Sequence, residues 1–463
     1  MDDHGQNPIS LQRAAGKAAR QTTPWSAQAE FSPPERDSVH IIEEQNADRV
    51  PDLVPVRLGR MLQSPFAFYR GAAAVMARDL SAGPVTGHRV MACGDAHLAN
   101  FGLYASPERR LVFDLNDFDE SFPAPWEWDV KRLAASVWLM GRNNSHSEDD
   151  CRSATAAAVQ TYRETLRQLY KMTASERYFY QVEADELTVE DAKDSRIIGA
   201  TTAKARRRTS EQLLSELTVS TVNGEPAIAD QPPIVRHPET KDLDGVKDLY
   251  FREYRDTLRA DTGLLLEQYR LVDYAWRIVG VGSVGTRCWI LLLLGPAAEP
   301  LFLQAKEAGP SVLETYGAIT GTRPGVLEAI ASRGQGYRVV SAQRILQAQS
   351  DPFLGWVADA TGLDGRKRDF YVRQFRDMKG SFKLEQFTPP QSARYARLCG
   401  RLLARGHSQS PGSSYIAGYL GKSDGFDQAI CDWARRYADQ AERDHQALAL
   451  AVRSGKLAAE AGV

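Results

Sequence analysis

The sequence lacks the features that would tie the chain to a membrane or to a disulfide framework. Its five cysteines are far apart and form no C-x-x-C pair, which argues against a zinc site and against disulfide bonds. The longest apolar run, Trp289 to Leu294, is far too short to cross a bilayer, and the N-terminus starts with acidic residues instead of an apolar signal segment. These absences predict a cytoplasmic protein that has no membrane partner.

The chain also lacks an excess of charge of either sign. It has 57 basic and 59 acidic residues, so no overall field would attract nucleic acid, and the short basic cluster Arg206 to Arg208 is typical of a solvated face. Hydrophobic residues make up 43% and charged residues 25% of the 463 positions, which is typical of an ordinary globular protein of two or three domains.

Composition and periodicity divide the chain into regions. Residues 1–48 are polar without sustained periodicity, which predicts a disordered tail. We expect a region that carries the acidic motifs over 49–265, with a polar insertion at 181–245. A β-rich region is predicted over 266–385, and a helical region over 386–463 that packs on the first one.

A glycine motif precedes a run of strand-forming residues. Gly280, Gly282 and Gly285, with Ser283 between them, are followed by "TRCWILLLL", whereas a dinucleotide-binding motif would be followed by a helix. A glycine loop between two antiparallel strands, with a lysine on the next strand, is instead the arrangement that covers nucleotide phosphates in kinases. Lys306 occupies that position, although a lone strand lysine is more commonly a solvated residue.

The stretch "MACGDAHLANFG" suggests a second part of such a site. Asp95 could accept the proton of an attacking hydroxyl, and Asn100 could bind a metal through its amide oxygen. The alternative is a turn in which both side chains cap backbone amides.

An acidic cluster follows shortly after this stretch. Its carboxylates repel one another unless a cation or basic groups neutralise them: Asp114, Asp117, Asp119 and Glu120. We expect Asp117 to be the main Mg²⁺ ligand, and Asp114 is a less favoured substitute. Asp119 and Glu120 either serve a second metal or face solvent.

Two further side chains belong to these motifs with open roles. His97 could touch the substrate or the metal, or bond to backbone. Arg70, in "FYRG", could meet a phosphate or form an ion pair with the acidic cluster.

Three motifs together resemble the aminoglycoside-phosphotransferase-like kinases: "CGDAHLANFG", "FDLNDFDE" and "WDVKRLA". The whole stretch from about residue 50 to 450 also resembles the bacterial family called domain of unknown function 2252, through "FAFYRG", "QAKEA", "DPFLGW" and "YADQAERDH". The second resemblance covers most of the chain.

The kinase resemblance implies a role for each motif. Asp95 would be the base, Asn100 and Asp117 would bind Mg²⁺, and Lys306 would hold the phosphates of ATP. Asp129 would bond back to the loop that contains Asp95.

The sequence departs from the kinase pattern at three points. Cys93 replaces the usual histidine, and Asp119 stands where many kinases have glycine. No glutamate is clearly placed to pair with Lys306, as one does in kinases. The candidates are Glu314, Glu328 and a glutamine of the "RVVSAQRILQAQ" helix.

The order of the motifs predicts a rearranged fold. The loop with Asp95 precedes the glycine motif, and the helix "RYARLCGRLLARGH", which resembles the one leading into that loop in kinases, lies near the C-terminus. We therefore expect an α+β, two-lobed, protein-kinase-like fold that is circularly permuted, because a fold requires its contacts and not its chain order. Asp95, Asp117 and Lys306 should then converge in one cleft.

The function that follows is an ATP- and Mg²⁺-dependent phosphotransferase that acts on a hydroxyl of a small-molecule or protein acceptor, or uses the nucleotide for adenylyl transfer. One alternative is a hydrolase in which four side chains hold two cations: Asp95, His97, Asp114 and Asp117. Another is a nucleotide-binding pseudokinase.

Overall fold

The computed structural model describes residues 8–183, 192–239, 251–278, 284–319, 325–361 and 365–462. These residues form one antiparallel six-stranded sheet, three two-stranded sheets and a larger helical part. The chain is therefore of the α+β class, as the sequence predicted.

The helices, numbered over the described residues, are α1 (Pro8–Ala18), α2 (Ser38–Asn46), α3 (Val54–Met61), α4 (Pro65–Gly71), α5 (Ala73–Leu80), α6 (Trp126–Asn143), α7 (Glu148–Leu169), α8 (Ala174–Phe179), α9 (Ala192–Arg206), α10 (Ser210–Leu217), α11 (Arg252–Asp256), α12 (Ala260–Leu266), α13 (Val312–Thr315), α14 (Val326–Ser332), α15 (Gln335–Leu346), α16 (Pro389–Ser408), α17 (Ser413–Leu420) and α18 (Gly425–Arg453).

The strands are β1 (Arg89–Ala92), β2 (Phe101–Ala105), β3 (Leu111–Leu115), β4 (Phe122–Pro125), β5 (Thr218–Ser220), β6 (Pro226–Ile228), β7 (Val235–Arg236), β8 (Arg270–Arg277), β9 (Cys288–Leu294), β10 (Pro300–Ala308), β11 (Gly355–Thr361) and β12 (Lys367–Gln374).

The six-stranded sheet has the order β11-β12-β10-β9-β8-β7 and is covered on both faces. Leu291 packs on one side with Leu266 of α12, while Ile290 and Leu292 pack on the other with Leu213 of α10. Because both faces are buried, β9 is apolar at nearly every position instead of alternating. In the register of the sheet, β10 lies between β9 and β12.

The helical part is built around α6, α7, α16 and α18. Helix α16 lies along α7, and α18 packs on α6 and α7. Trp126 and Trp138 of α6 and Trp433 of α18 are among the largest fully buried side chains of this core. Asp427 of α18 accepts hydrogen bonds from the buried guanidinium of Arg163, so that a buried charge has its partner where α7 meets α18.

Two short two-stranded sheets bring two loops together beside this core. Strand β1 pairs with β4, and β2 pairs with β3. The Asp95 loop, residues 93–100, connects β1 to β2, and the acidic loop, residues 116–121, connects β3 to β4. Because both loops connect the same two strand pairs, they lie side by side, and Asn100 of the first donates to the Asp117 carbonyl of the second.

The N-terminal segment differs from the disordered tail expected over residues 1–48. Its helices α1 and α2 are folded, and α1 packs on α17. Arg36 forms ion pairs of 2.7 Å with Asp79 and 2.6 Å with Asp444, all nearly inaccessible to solvent. Buried ion pairs of this kind need partners far along the chain, and composition does not show them. Residues 1–7 lie outside the described residues.

The sequence predicted neither disulfide bonds nor a membrane-spanning segment. All five cysteines are free and buried. Over the part of the chain that is described, no helix has both the length and the apolar character needed to cross a bilayer.

Candidate functional site

Asp129, in the first turn of α6, holds the Asp95 loop in place through hydrogen bonds. The Asp129 carboxylate accepts hydrogen bonds from the backbone N–H groups of Cys93 at 2.6 Å and Gly94 at 2.9 Å. Because a carboxylate only accepts, His407 Nε2 donates to Asp129 Oδ2 at 3.0 Å, and Tyr162 lies 2.8 Å from His407 Nδ1. These groups fix the backbone on the N-terminal side of Asp95.

Gly94 permits the close approach of the two loops. Its φ is +78°, in the left-handed region, and an added Cβ would lie only 2.1 Å from the carbonyl oxygen of Glu120. A residue with a side chain would push the acidic loop away.

Asp95 is oriented by a buried arginine. Arg132, one turn after Asp129 on α6, donates from Nε at 2.9 Å and Nη2 at 2.6 Å to a single oxygen, Asp95 Oδ1. The other oxygen, Oδ2, lies 3.5 Å from His97 Nε2. Burial lowers the pKa of His97 to about 4, and attraction to Asp95 opposes this only in part, so His97 is neutral at pH 7. Asp95 thus has one anchored oxygen and one oxygen near a neutral ring.

Asn100 joins the two loops and keeps a free oxygen. Its amide nitrogen donates to the backbone carbonyls of Asp95 and Asp117, each at 3.0 Å. Asn100 Oδ1, Asp117 Oδ1 and Asp119 Oδ1 are buried and accept no hydrogen bond from the described residues. Buried oxygens without donors are unfavourable, so these three atoms are suited to a cation.

Lys306 reaches the acidic loop from the sheet. It is 2% exposed on β10, donates a hydrogen bond to Asp119 and lies 3.7 Å from Asp117 Oδ1. Burial acts to lower the pKa of Lys306, but attraction to Asp117 and then Asp119 outweighs it and raises that pKa. Burial also opposes ionisation of both aspartates. Lys306 nevertheless lowers the pKa of Asp117, whereas Asp119, next to the charge of Asp117, has a raised pKa.

Glu120 and Arg338 connect the acidic loop to α13 and α15. Glu120 Oε2 accepts from the backbone N–H of Val312 at 2.7 Å, and burial raises the pKa of Glu120 to about 7. Arg338 of α15 donates to the carbonyls of Ser121 and Gly309 at 2.5 and 2.7 Å. Helix α15 therefore contacts the acidic loop through an arginine.

The glycine motif is only partly described. Gly280, Gly282 and Ser283 lie outside the described residues, so the structure says nothing about them. Gly285 has φ +90°, and its carbonyl accepts the backbone N–H of Val50 at 2.9 Å. This contact ties the end of the glycine motif to the segment that precedes α3.

A cavity of about 300 Å³ opens between the sheet and the helical part. It is lined by Asp95, Asp117, Asp119 and Glu120 on one side and by Thr286 and Glu307 on the other, with side chains from α2 to α4 completing its wall. Residues from three distant segments of the chain therefore share one space.

The sequence comparison adds the family. The family model described as "Uncharacterized protein conserved in bacteria (DUF2252)" matches residues 49–451. The chain belongs to the DUF2252 family. The matched range includes both loops, Lys306 and Asp129 of this DUF2252 protein. No curated protein and no solved structure matches the chain.

Asp114 of the DUF2252 chain does not join the cavity. Its Oδ1 accepts the backbone N–H of Leu115 and its Oδ2 that of Ala348, each at 2.9 Å, and burial raises its pKa. Asp114 therefore supports the segment after α15, and the expectation of an accessory site role is replaced by a structural one. Arg70, His97, Asp119 and Asp129 do lie at or directly behind the cavity.

The oxygen atoms of this site suit Mg²⁺, which does not need a coordination sphere made entirely of protein ligands. Among the described residues, no three His, Cys, Asp or Glu side chains are close enough together to hold a metal. Two carboxylates with one amide oxygen match Mg²⁺, which keeps several waters and takes few protein ligands beside phosphate oxygens. Asn100, Asp117 and Asp119 of the DUF2252 protein fit that requirement.

Sequence reasoning missed Arg132 and Arg338. Arg132 follows Asp129 by one helical turn, so the two side chains share a face of α6, which was the available signal. No local signal marks the contact of Arg338 with the acidic loop, because beside Gln335 Oε1, three residues earlier, it donates to backbone carbonyls of two distant loops of the DUF2252 chain.

Proposed function

We propose that this protein is an ATP- and Mg²⁺-dependent phosphotransferase of circularly permuted, kinase-like architecture. The observation that carries the proposal is the contact of Lys306 with Asp117 and Asp119, two side chains that line the same cavity as Asp95. A lysine on a central strand, a metal-binding carboxylate and a base are the parts that phosphoryl transfer uses for positioning and charge stabilisation.

The order of the sheet supports the nucleotide assignment. The glycine motif lies between neighbouring strands β8 and β9, and Lys306 lies on β10, the next strand of the sheet. A glycine loop over the phosphates followed by a lysine on the third strand is the kinase arrangement.

The permutation is supported by the position of α16. In chain order α16 follows the sheet, but its residue His407 bonds to Asp129, which holds the Asp95 loop. Helix α16 therefore ends beside the loop into which the corresponding helix of a kinase would lead.

Each side chain then has a stated task. Asp95 Oδ2 accepts the proton of the acceptor hydroxyl, while Arg132 holds Oδ1 and thereby the orientation of the carboxylate. Lys306 binds phosphate oxygens once it exchanges its aspartate contact for the nucleotide. Asn100, Asp117 and Asp119 would hold Mg²⁺, which when bound neutralises charge on the phosphates.

The hydrolase alternative has less support. It needs Asp114 as a cation ligand, and both oxygens of Asp114 are taken by backbone N–H groups. It also leaves the contact between Lys306 and the acidic loop without a role.

Thermal unfolding with ATP, with ATP plus Mg²⁺ and with Mg²⁺ alone tests the nucleotide site. Ligand at about a hundred times its dissociation constant stabilises the wild type by about 2.7 kcal/mol. Lys306→Met should lose this ligand-dependent shift, and Lys367→Met, at an exposed lysine of β12, should keep it. A shift with Mg²⁺ alone that survives in Lys306→Met would favour the hydrolase instead.

Asp95→Asn separates a kinase from a pseudokinase. The variant should bind Mg²⁺ and ATP as the wild type does, but ATP consumption should fall by about 10²- to 10⁴-fold because the general base is lost. Wild-type consumption in Asp95→Asn would contradict the assignment of Asp95. A wild type that binds ATP without consuming it, with any acceptor tried, would favour the pseudokinase.

A further inference from the structure

Three arginines from the segment before the Asp95 loop line the same cavity: Arg49, Arg57 and Arg70. Arg49 lies between α2 and α3, Arg57 on α3 and Arg70 on α4. In the kinase-like proposal no role falls to any of the three.

Each of these arginines has a buried guanidinium nitrogen without a partner. The Nε atoms of Arg49, Arg57 and Arg70 are buried and donate no hydrogen bond to the described residues. Arg57 is 0% exposed and donates only to neutral acceptors, which include Asn46 Oδ1 at 2.7 Å and the Gly71 carbonyl at 2.9 Å. The N–H groups of Arg57 therefore find hydrogen-bond acceptors but no carboxylate at contact distance, and the charge of Glu120 offsets the effect of burial only in part.

Arg49 and Arg70 make even fewer hydrogen bonds than Arg57 does. Arg49 donates from Nη1 to the Val284 carbonyl at 2.5 Å, and Arg70 makes no hydrogen bond to the part of the chain that the structure describes. Burial lowers the pKa of Arg49 to about 10 and also lowers that of Arg70. The positive charge of Arg49 further lowers the pKa of Arg57, after burial, so the two repel each other.

Three of the carboxylates that line the cavity are paired with cations other than these arginines, and Glu120 accepts the backbone N–H of Val312. Asp95 is paired with Arg132, Asp119 with Lys306, and Glu307 with Arg287. None of Arg49, Arg57 and Arg70 forms an ion pair with a described carboxylate. A buried cation that no carboxylate contacts is costly, and guanidinium groups bind the oxygens of phosphate and carboxylate through paired hydrogen bonds.

We propose that Arg49, Arg57 and Arg70 form a subsite that binds an anionic group, a phosphate or a carboxylate, on the acceptor substrate. The inference rests on the proposed phosphotransferase function and specifies its acceptor as an anionic molecule. The acceptor is favoured over the nucleotide because the charge of Arg70 interacts with that of Asp95, the proposed base, whereas Lys306 is the residue proposed to bind the nucleotide phosphates.

Calorimetric titration with inorganic phosphate tests the subsite. We expect phosphate to bind the wild type, and to bind Arg70→Gln at least about tenfold more weakly because a charge-assisted contact is lost. Arg435→Gln, at an exposed arginine of α18, should bind as the wild type does. Arg70→Gln removes no observed hydrogen bond, so it should fold, and Arg49→Gln is a second variant with the same expectation.

A second titration, with phosphate in the presence of Mg²⁺ and a non-hydrolysable ATP analogue, identifies which ligand carries the anion. Unchanged phosphate affinity supports the acceptor, whereas displacement by the analogue would assign the arginines to the nucleotide and overturn the proposal. Equal phosphate affinity in wild type and both variants would also overturn it. If the wild type binds phosphate through Arg70 but binds no ATP analogue, the phosphotransferase function fails while the anion subsite stands.

Discussion

His407 and Asp129 are joined by a hydrogen bond of 3.0 Å in the interior of the protein, with 0% and 1% of their side chains exposed. The same carboxylate accepts two backbone N–H groups of the Asp95 loop. Asp129 therefore links the C-terminal helical region to the loop that contains Asp95, the proposed base.

Asp129→Asn should destabilise the protein and disturb the loop. An amide can serve only part of these donors, so a buried N–H or the imidazole loses its acceptor, and we expect a loss of about 3 kcal/mol in the free energy of unfolding. Urea unfolding measures the loss. Asp149→Asn, at an exposed position of α7, should change the midpoint little, and an equal effect of both variants would contradict this role of Asp129.

Asp117→Asn and Asp114→Asn form a pair that separates metal binding from support of the fold. Asp117→Asn should remove most of the additional stabilisation that Mg²⁺ gives to the ATP complex, because Asp117 offers a buried oxygen that accepts no hydrogen bond from the described residues. Asp114→Asn should lower the unfolding temperature without ligand but keep the Mg²⁺ dependence, because both Asp114 oxygens serve backbone donors. The reverse result would move the metal site to Asp114.

His97 should make the protein less stable in acid. Its pKa is lowered to about 4 in the folded state by burial, against about 6.5 in the unfolded chain. Between pH 6.5 and 4 the unfolded state therefore binds a proton that the folded state does not, and stability falls as the pH drops through this window, by up to about 1.4 kcal/mol per pH unit.

The measurement compares unfolding free energies of wild type and His97→Gln from pH 8 to pH 4. Carboxylates titrate in both proteins, so the difference between them isolates His97. It should be constant above pH 6.5 and should shift in favour of the variant as the pH falls. A constant difference down to pH 4 would show that folding does not lower the pKa of His97.

Arg36→Met should destabilise the protein although Arg36 belongs to the segment that composition predicted to be disordered. Removing the guanidinium leaves the buried carboxylates of Asp79 and Asp444 side by side, and we expect a cost of about 3–5 kcal/mol in thermal or urea unfolding. Lys17→Met, on the exposed side of α1, is the matched control and should have little effect. Wild-type stability in Arg36→Met would mean that the segment does not pack in solution.

Local sequence patterns determined many individual elements. The apolar period of "RYARLCGRLLARGH" predicted part of α16, and the apolar runs around the glycine and proline turn predicted β9 and β10. These patterns report which side of a segment is buried, which depends on neighbours only a turn or a residue away. The motif around Asp95 and the acidic cluster were visible for the same reason, since their residues are close together in the chain.

Only the tertiary structure decided which charges meet. Composition did not show that Arg132 would orient Asp95, that Lys306 would contact Asp119, or that Asp114 would be taken up by backbone donors. Nor did it show the packing of the N-terminal segment, which depends on partners hundreds of residues away. A buried ionic group is favourable only where the fold brings its partner within contact distance, and that distance is set by the path of the whole chain.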